Sequence, residues 1–282
     1  MRNTNKKMSL TLFAALLCAV SSASQVALAE DYQFQGTGYI ASGDSDRAGK
    51  TDSYIQKGAA ATFYFAPVDT SIGPLATAAF VDRASSFSVG YANTDIGSLD
   101  ARTKVAALNL RDKDSGWTGS ISIADVDQND LSSDASLGSY GFSIGKYIAE
   151  NTSISLGYDS SEIELFEDGI RQSFDSDSYI LNISHVGLAE KDFDLGASII
   201  LTDTANGKEE ITLAFGGSVY LNKRTAIGVS VQVTDADIDN DYVSVFGEWF
   251  ATPTVAGSIE YFISDSANFR TTGLLFAANW RL

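Results

Sequence analysis

The stretch Ala226-Ile227-Gly228-Val229-Ser230-Val231-Gln232-Val233 alternates without a break. Ile227, Val229, Val231 and Val233 share one parity, and Ala226, Gly228, Ser230 and Gln232 share the other. Successive side chains of an extended chain point to opposite faces, so this segment has one β-branched apolar face and one small or polar face. Apolar residues at helical spacing would fall on both sets at once, which excludes an amphipathic helix. Working outward, the same pattern returns in Ser86-Phe87-Ser88-Val89-Gly90-Tyr91, in Ser120-Ile121-Ser122-Ile123 and in Ser153-Ile154-Ser155-Leu156-Gly157-Tyr158. Fourteen such segments can be placed, centred near residues 36, 60, 89, 107, 121, 144, 156, 182, 198, 216, 230, 246, 259 and 276. Pro67, Pro74 and Pro253 fall between them, as residues that cannot donate to a ladder should.

Toward the N-terminus the pattern stops. Arg2, Lys6 and Lys7 precede an apolar run from Leu10 to Val20, and Ala27-Leu28-Ala29 comes before Glu30-Asp31. That order predicts a secretory signal peptide over 1–29, cleaved after Ala29. Both methionines and the one cysteine, Cys18, lie inside it, so the chain that follows has no sulfur. A disulfide framework, a thiolate metal site and a cysteine nucleophile are thereby excluded from residues 30–282. Those residues carry 16 basic and 36 acidic side chains, which argues against nucleic acid as a partner, since phosphate must be met by cations. No cofactor motif is present.

The expected fold is all-β: a transmembrane antiparallel up-and-down β-barrel over 30–282 with about 14 strands, within a range of 12–16. Short turns at 113–116, 149–152, 222–225 and 251–254 interleave with longer segments such as 125–139, 161–178 and 235–241. The longer set holds 23 acidic and 5 basic residues, so the charge gathers at one rim. Outer-membrane barrels have short periplasmic turns and longer outer loops, which places the acidic rim outside. Aromatic residues sort to the two strand ends: Trp117, Trp249 and Trp280, with Phe63, Phe65 and Phe87, at the short-turn end, and Tyr140, Tyr158, Tyr179, Tyr242 and Tyr261 at the other. Such belts suit the two membrane interfaces, where amphipathic rings favour the headgroup level.

The C-terminal strand from Thr271 to Leu282, with Gly273 and then apolar Phe276, Ala278, Trp280 and Leu282, resembles the assembly signal of bacterial outer-membrane proteins, although that family prefers a terminal Phe. The stretch from Gly73 to Tyr91, with Gly73-Pro74-Leu75-Ala76-Thr77-Ala78-Ala79-Phe80, is similar to a segment of the small porins of Gram-negative gammaproteobacteria. The resemblance implies passive diffusion of small solutes, and with it the barrel assembly machinery, outer-membrane lipid and lipopolysaccharide as partners.

If the apolar parity faces lipid, the inner wall carries Ser86, Ser88, Ser120, Ser122, Ser143, Ser153, Ser155, Ser184, Ser198 and Ser230 with glycines between them. Fourteen strands lined this way should enclose water, because diameter grows with strand number and small side chains do not meet across the middle. The charged members expected inside are Lys57, Arg111, Glu248, Glu260 and Arg281. An acidic outer rim predicts a preference for cations. Asp235, Asp237, Asp239 and Asp241 alternate in one loop and form a calcium candidate, without the turn glycine and downstream Glu of a standard calcium loop. An outer-membrane enzyme is the first competing class, but the one histidine, His185, sits near the short-turn end of its strand. A plugged transporter for hydrophobic substrates is a second, and alternation begins at Tyr32, too early for a plug ahead of the barrel. A structural or adhesive barrel with a blocked lumen is the third. The segment 67–84, far longer than the other short-side turns, is expected either to hang as a tail or to pack at the mouth and narrow it, opening a short helix after Pro74.

Overall fold

The computed structural model of the chain describes residues 31–47, 50–71, 73–130, 133–167, 170–188, 192–204, 208–235, 240–252, 254–266 and 269–282. The signal peptide expected over 1–29 lies outside them. Fourteen antiparallel strands close into one barrel: β1 (Tyr32–Arg47), β2 (Lys50–Val68), β3 (Ser86–Ile96), β4 (Leu99–Arg111), β5 (Trp117–Asp130), β6 (Ser133–Ala149), β7 (Thr152–Glu167), β8 (Ile170–Gly187), β9 (Phe193–Thr204), β10 (Lys208–Asn222), β11 (Thr225–Asp235), β12 (Asn240–Thr252), β13 (Val255–Ser266) and β14 (Phe269–Arg281). Every strand pairs with its neighbours in sequence, and β14 closes on β1 with Arg281 opposite Gln35 and Phe269 opposite Arg47. Closure leaves no free edge, which is the condition for strands to cross hydrocarbon with their backbone groups paired. No described helix is long and apolar enough to span a membrane.

Parity decides the two faces. Tyr220, Ala226, Phe250 and Ala256 come from the four consecutive strands β10 to β13 and converge on Leu75 and Ala76, so their parity is the inner one. The opposite parity carries exposed large apolar residues, among them Phe87, Ile121, Ile123, Phe142, Ile144, Leu156, Leu213, Phe215, Val229, Val245 and Phe276. Trp117, Trp249 and Trp280 stand on that outer face at one end. Tyr140, Tyr158, Tyr179 and Tyr261 stand on it toward the other, with the Tyr158 ring between those of Phe142 and Tyr179.

Three expectations are corrected. Lys57 pairs with Ile40 and Asn93 and shares the parity of exposed Ile55 and Phe63, so it faces outward and not into the lumen. Tyr242 pairs with Gln232 and Ser264 and stacks on Phe262 inside the barrel, so it does not belong to the outer belt. Pro67 lies within β2, one residue from its end, where β3 has not yet begun and no ladder donor is needed.

The supposed long outer loops also turn out to be strand. β5 and β6 are separated by 131–132 alone, and β7 and β8 by 168–169. Above the tyrosines the polarity of the wall inverts: Asp125, Asp127, Glu162 and Glu164 face outward, while Val126, Leu137 and Ile163 are buried on the inner side. An acid-rich alternation whose apolar members point inward describes a strand standing in water rather than in lipid. This projecting collar carries the outer-end charge, with Lys104 bridging Asp125 and Asp127 and Arg171 bonded to Glu164.

Candidate functional site: the lumen and its closed end

Strands about 4.8 Å apart and tilted by about 40° give a fourteen-strand ring a backbone diameter of about 28 Å. The inner wall fills this space unevenly. Along the arc from β12 through β14 to β3, bulky groups pack on one another: Tyr39, Tyr54, Phe262 and Leu275 are buried, Tyr54 meets Phe262 edge-on at 5.9 Å, and Tyr242 stacks on Phe262 at 6.2 Å. Glycine makes this possible. A Cβ on Gly58 would lie 2.3 Å from Cζ of Tyr39, and one on Gly228 would lie 2.1 Å from Cζ of Phe246. Along the arc from β5 to β9 the inner residues are instead Ser120, Ser122, Ser143, Gly145, Ser153, Ser155, Gly157, Ser184, Gly196 and Ser198. The hydroxyls of Ser120 and Ser143 bond across strands at 2.7 Å, and Ser122 remains exposed. Side chains this short leave the space beside them to water.

At the short-turn end the mouth is crossed by the residues between β2 and β3. Pro74 caps a 3₁₀ turn, Leu75–Thr77, which runs straight into one turn of helix, α1 (Ala78–Val81). Leu75 and Ala76 bed into Tyr220, Ala226, Phe250 and Ala256 on one side of the barrel. Ala78 and Ala84 pack with Tyr32, Tyr64 and Val68 on the other. Between them Arg111 Nη1 donates to the Ala79 carbonyl (2.9 Å) and the Tyr147 hydroxyl to the Phe80 carbonyl (2.8 Å). Arg83 lies over the Tyr147 ring at 4.4 Å and donates to the carbonyls of Lys113 (2.9 Å) and Glu150 (3.2 Å) in the turns below β5 and β7. Lys113 bridges Asp82 at 2.7 Å, and Lys223 Nζ reaches the Ser71 carbonyl at 3.4 Å. The segment is thus a lid resting on strands or turns all round the rim. The alternative of a hanging tail is ruled out by these contacts.

Of the charges expected inside, Arg111, Glu248, Glu260 and Arg281 take the inner parity. Glu260 accepts from the Tyr242 hydroxyl at 2.5 Å. Glu248 and Arg281 are buried near the lid, yet Glu248 Oε1 and Arg281 Nε and Nη1 have no hydrogen-bond partner, and the Arg281 guanidinium lies 4.1 Å above the Tyr32 ring. Both amide atoms of Gln35, which pairs with Arg281, are likewise enclosed and unbonded. His185 faces outward between Thr152 (2.8 Å) and the Phe193 ring. Asp237 and Asp239 of the calcium candidate lie outside the described residues; Asp235 ends β11 and Asp241 accepts from the Thr234 amide at 3.3 Å. No group of metal-ligating residues gathers among the described residues. The sequence reading missed the filled arc, although Phe262 shares parity with Ser258, Glu260 and Ser264, which would have placed it inside. It also missed Arg83, for which no sequence signal exists.

A family model described as "Putative general bacterial porin" matches residues 5–279. No curated protein matches the chain. Among solved structures, the Acinetobacter baumannii outer membrane protein Omp33 is similar over 89% of this chain and 99% of its own, at 20% identity and a TM-score of 0.63. A mutant of the monoaromatic hydrocarbon channel TodX is similar over 90% of each chain, at 8% identity and a TM-score of 0.53. At these identities the two structures share the barrel fold.

Proposed function

The chain belongs to the general bacterial porin family of outer-membrane channels, and we propose that it lets small hydrophilic solutes and ions diffuse passively, with a preference for cations. The observation that carries this reading is the open arc from β5 to β9, a continuous strip of hydroxyls and glycines running beside an exposed Ser122. Water on that strip keeps hydrogen-bond partners, so a hydrated ion can pass without shedding its shell. The cation preference is supported by the acidic collar, which concentrates counter-ions at the mouth, and by Glu260 inside. His185 and the Thr152 hydroxyl beside it face outward, away from the lumen, and the porin family itself favours a channel over an enzyme. A leader cleaved after Ala29 would deliver the chain to the periplasm and leave the lid end facing it, with the strand from Thr271 to Leu282 read by the assembly machinery and the outer rim beside lipopolysaccharide.

Liposome swelling with sugars of graded size tests the reading: uptake should fall with size, and Ser155→Trp on the open arc should reduce it. Size-independent exclusion of every sugar would overturn it. Reversal potentials in asymmetric salt should show cation excess. The lid supports a second reading, a structural or adhesive barrel whose lumen does not conduct. Planar-bilayer recording of the unaltered protein and of a 70–82 deletion separates the two, since a channel narrowed at this point conducts before the deletion and more after it, whereas a plugged barrel is silent until the lid is removed.

A further inference from the structure

The contacts of the lid with the rim are thin, and what they cover is uncomfortable when covered. The buried lid residues are Pro74, Leu75 and four small ones, Ala76, Thr77, Ala78 and Ala84, so the apolar area lost if the segment leaves the mouth is modest. Its remaining contacts are few: the Arg83 bonds to two main-chain carbonyls, those of Arg111 and Tyr147 to lid carbonyls, the Asp82–Lys113 ion pair and the Phe80 ring against Tyr147. Beside it, Glu248, Arg281 and Gln35 are buried with atoms that have no partner; Arg281 lies over Tyr32 and Glu248 stands opposite Ala226, and both of those neighbours pack on the lid, so moving the segment opens a way for water to these charges. Both ends of the segment carry left-handed backbone: Gly73 at φ +75°, where glycine is at ease, and Arg83 at φ +52°, where an L side chain is strained. A rigid plug would be expected to pair the charges it buries and to end in relaxed backbone. This segment does neither.

We propose that residues 73–84 form a hinged gate over the lid end of the channel, pivoting at Gly73 and Arg83 and latched by the two-pronged Arg83 grip on the turns below β5 and β7. The inference rests on the porin reading and adds to it the element that controls passage. Closed, the lid covers the wall beside Glu248 and Arg281; open, it presents both charges to the permeating solution. The opposing contributions are of similar kind: apolar contact and the Arg83 latch favour closure, while hydration of the buried ionic groups and relief at Arg83 favour opening. Such an element has two populated states and needs no ligand to move.

The sequence has no cysteine after Cys18, so a pair introduced into the barrel has no competitor. Phe80→Cys with Tyr147→Cys places thiols where the middle of the lid meets the wall at β6. Joined by a short bis-maleimide cleavable by reductant, the pair should silence single-channel openings in a planar bilayer, and reductant should restore them. Equal conductance before and after cleavage overturns the gate. Arg83→Ala should raise the open-state population roughly tenfold or more, the loss expected for a charge-assisted pair of hydrogen bonds, with Arg83→Lys between the two. An unchanged or lower open population in folded Arg83→Ala, judged by heat-dependent gel mobility, also overturns it. If the unaltered protein is silent while the 70–82 deletion conducts, the lid is a fixed plug, the gate fails and the plugged-barrel reading replaces the porin reading. Silence in both removes the porin reading itself.

Discussion

The inner wall has two halves that obey different rules. From β12 round to β3 it behaves like the core of a soluble protein, with Tyr39, Tyr54, Phe262 and Leu275 interlocked over glycines. From β5 to β9 the inner core is confined to the collar, at Val126, Leu137 and Ile163, and below it Ser and Gly face a wet space. One half is held from inside; the other must be held by its ladder, by its outward face and by its turns. The passage is therefore off-centre, and the two halves should respond to the same class of substitution in opposite ways.

The largest difference is expected on truncating an inner side chain. Phe262→Ala should cost about 3–5 kcal/mol, as large core aromatics do, whereas Ser122→Ala on the open half should stay within about 0.5 kcal/mol, as at exposed positions. Urea unfolding from lipid vesicles followed by tryptophan fluorescence measures both, and equal costs would abolish the distinction. Next comes adding a methyl group. Gly58→Ala drives a Cβ into the Tyr39 ring and should cost about 1–3 kcal/mol through overpacking. At Gly196 the nearest atom is the Ile183 carbonyl at 4.0 Å, so Gly196→Ala should be neutral or stabilise by up to about 1 kcal/mol. Smaller still is the outward support of the open half. Lys146 lies 5.3 Å from the Trp117 ring across β5 and β6, and Lys146→Ala should lose about 0.5–1 kcal/mol by the same unfolding assay.

The smallest effect concerns the turn at the foot of that half. The Ser115 hydroxyl (2.5 Å) and the Asp114 amide (3.1 Å) donate to the Asp112 carboxylate and hold its carboxyl below the usual carboxylate range. A depressed folded value means that the contribution is complete above the ordinary aspartate range and is lost as the pH falls through the lowered value. Protease cleavage within 112–116 should therefore be unchanged from pH 8 down to about 5, near the top of the ordinary carboxylate range, and rise only below it. Asp112→Asn should flatten that rise.

The number of strands and the parity of most of them were legible because hydrocarbon enforces a strict alternation outside and water permits small residues inside. Each of the fourteen expected centres falls in its own strand. Where one of those two media is absent the signal fails. In the collar both sides differ from the membrane belt, so the acids of Asp125 to Asp127 and Glu162 to Glu164 read as loop although the period of two persists. Around Lys57 the sequence Gly58-Ala59-Ala60-Ala61 marks neither face, and the lysine was put on the wrong one. Tyr242 deceives for another reason: its position near a strand end suggests a belt, while its parity with Ser244 and Glu248 puts it inside. The lid has no periodicity at all, and its place across the mouth follows from hydrogen-bond partners up to 152 positions away and from apolar partners further still.

The seam between β1 and β14 has a consequence for how the chain can be made. The amides of Gln33 and Phe34 both donate to the Leu282 carbonyl, and the Thr37 hydroxyl meets Asn279 across 242 positions of sequence. Beginning and end are therefore side-by-side neighbours, and the ring is seamless only once the last dozen residues have arrived. A circularly permuted gene, with residues 282 and 31 joined by a short linker and new termini cut at 150–151, should yield the same cylinder, whereas a chain stopped short of Thr271 would keep two sticky borders and aggregate.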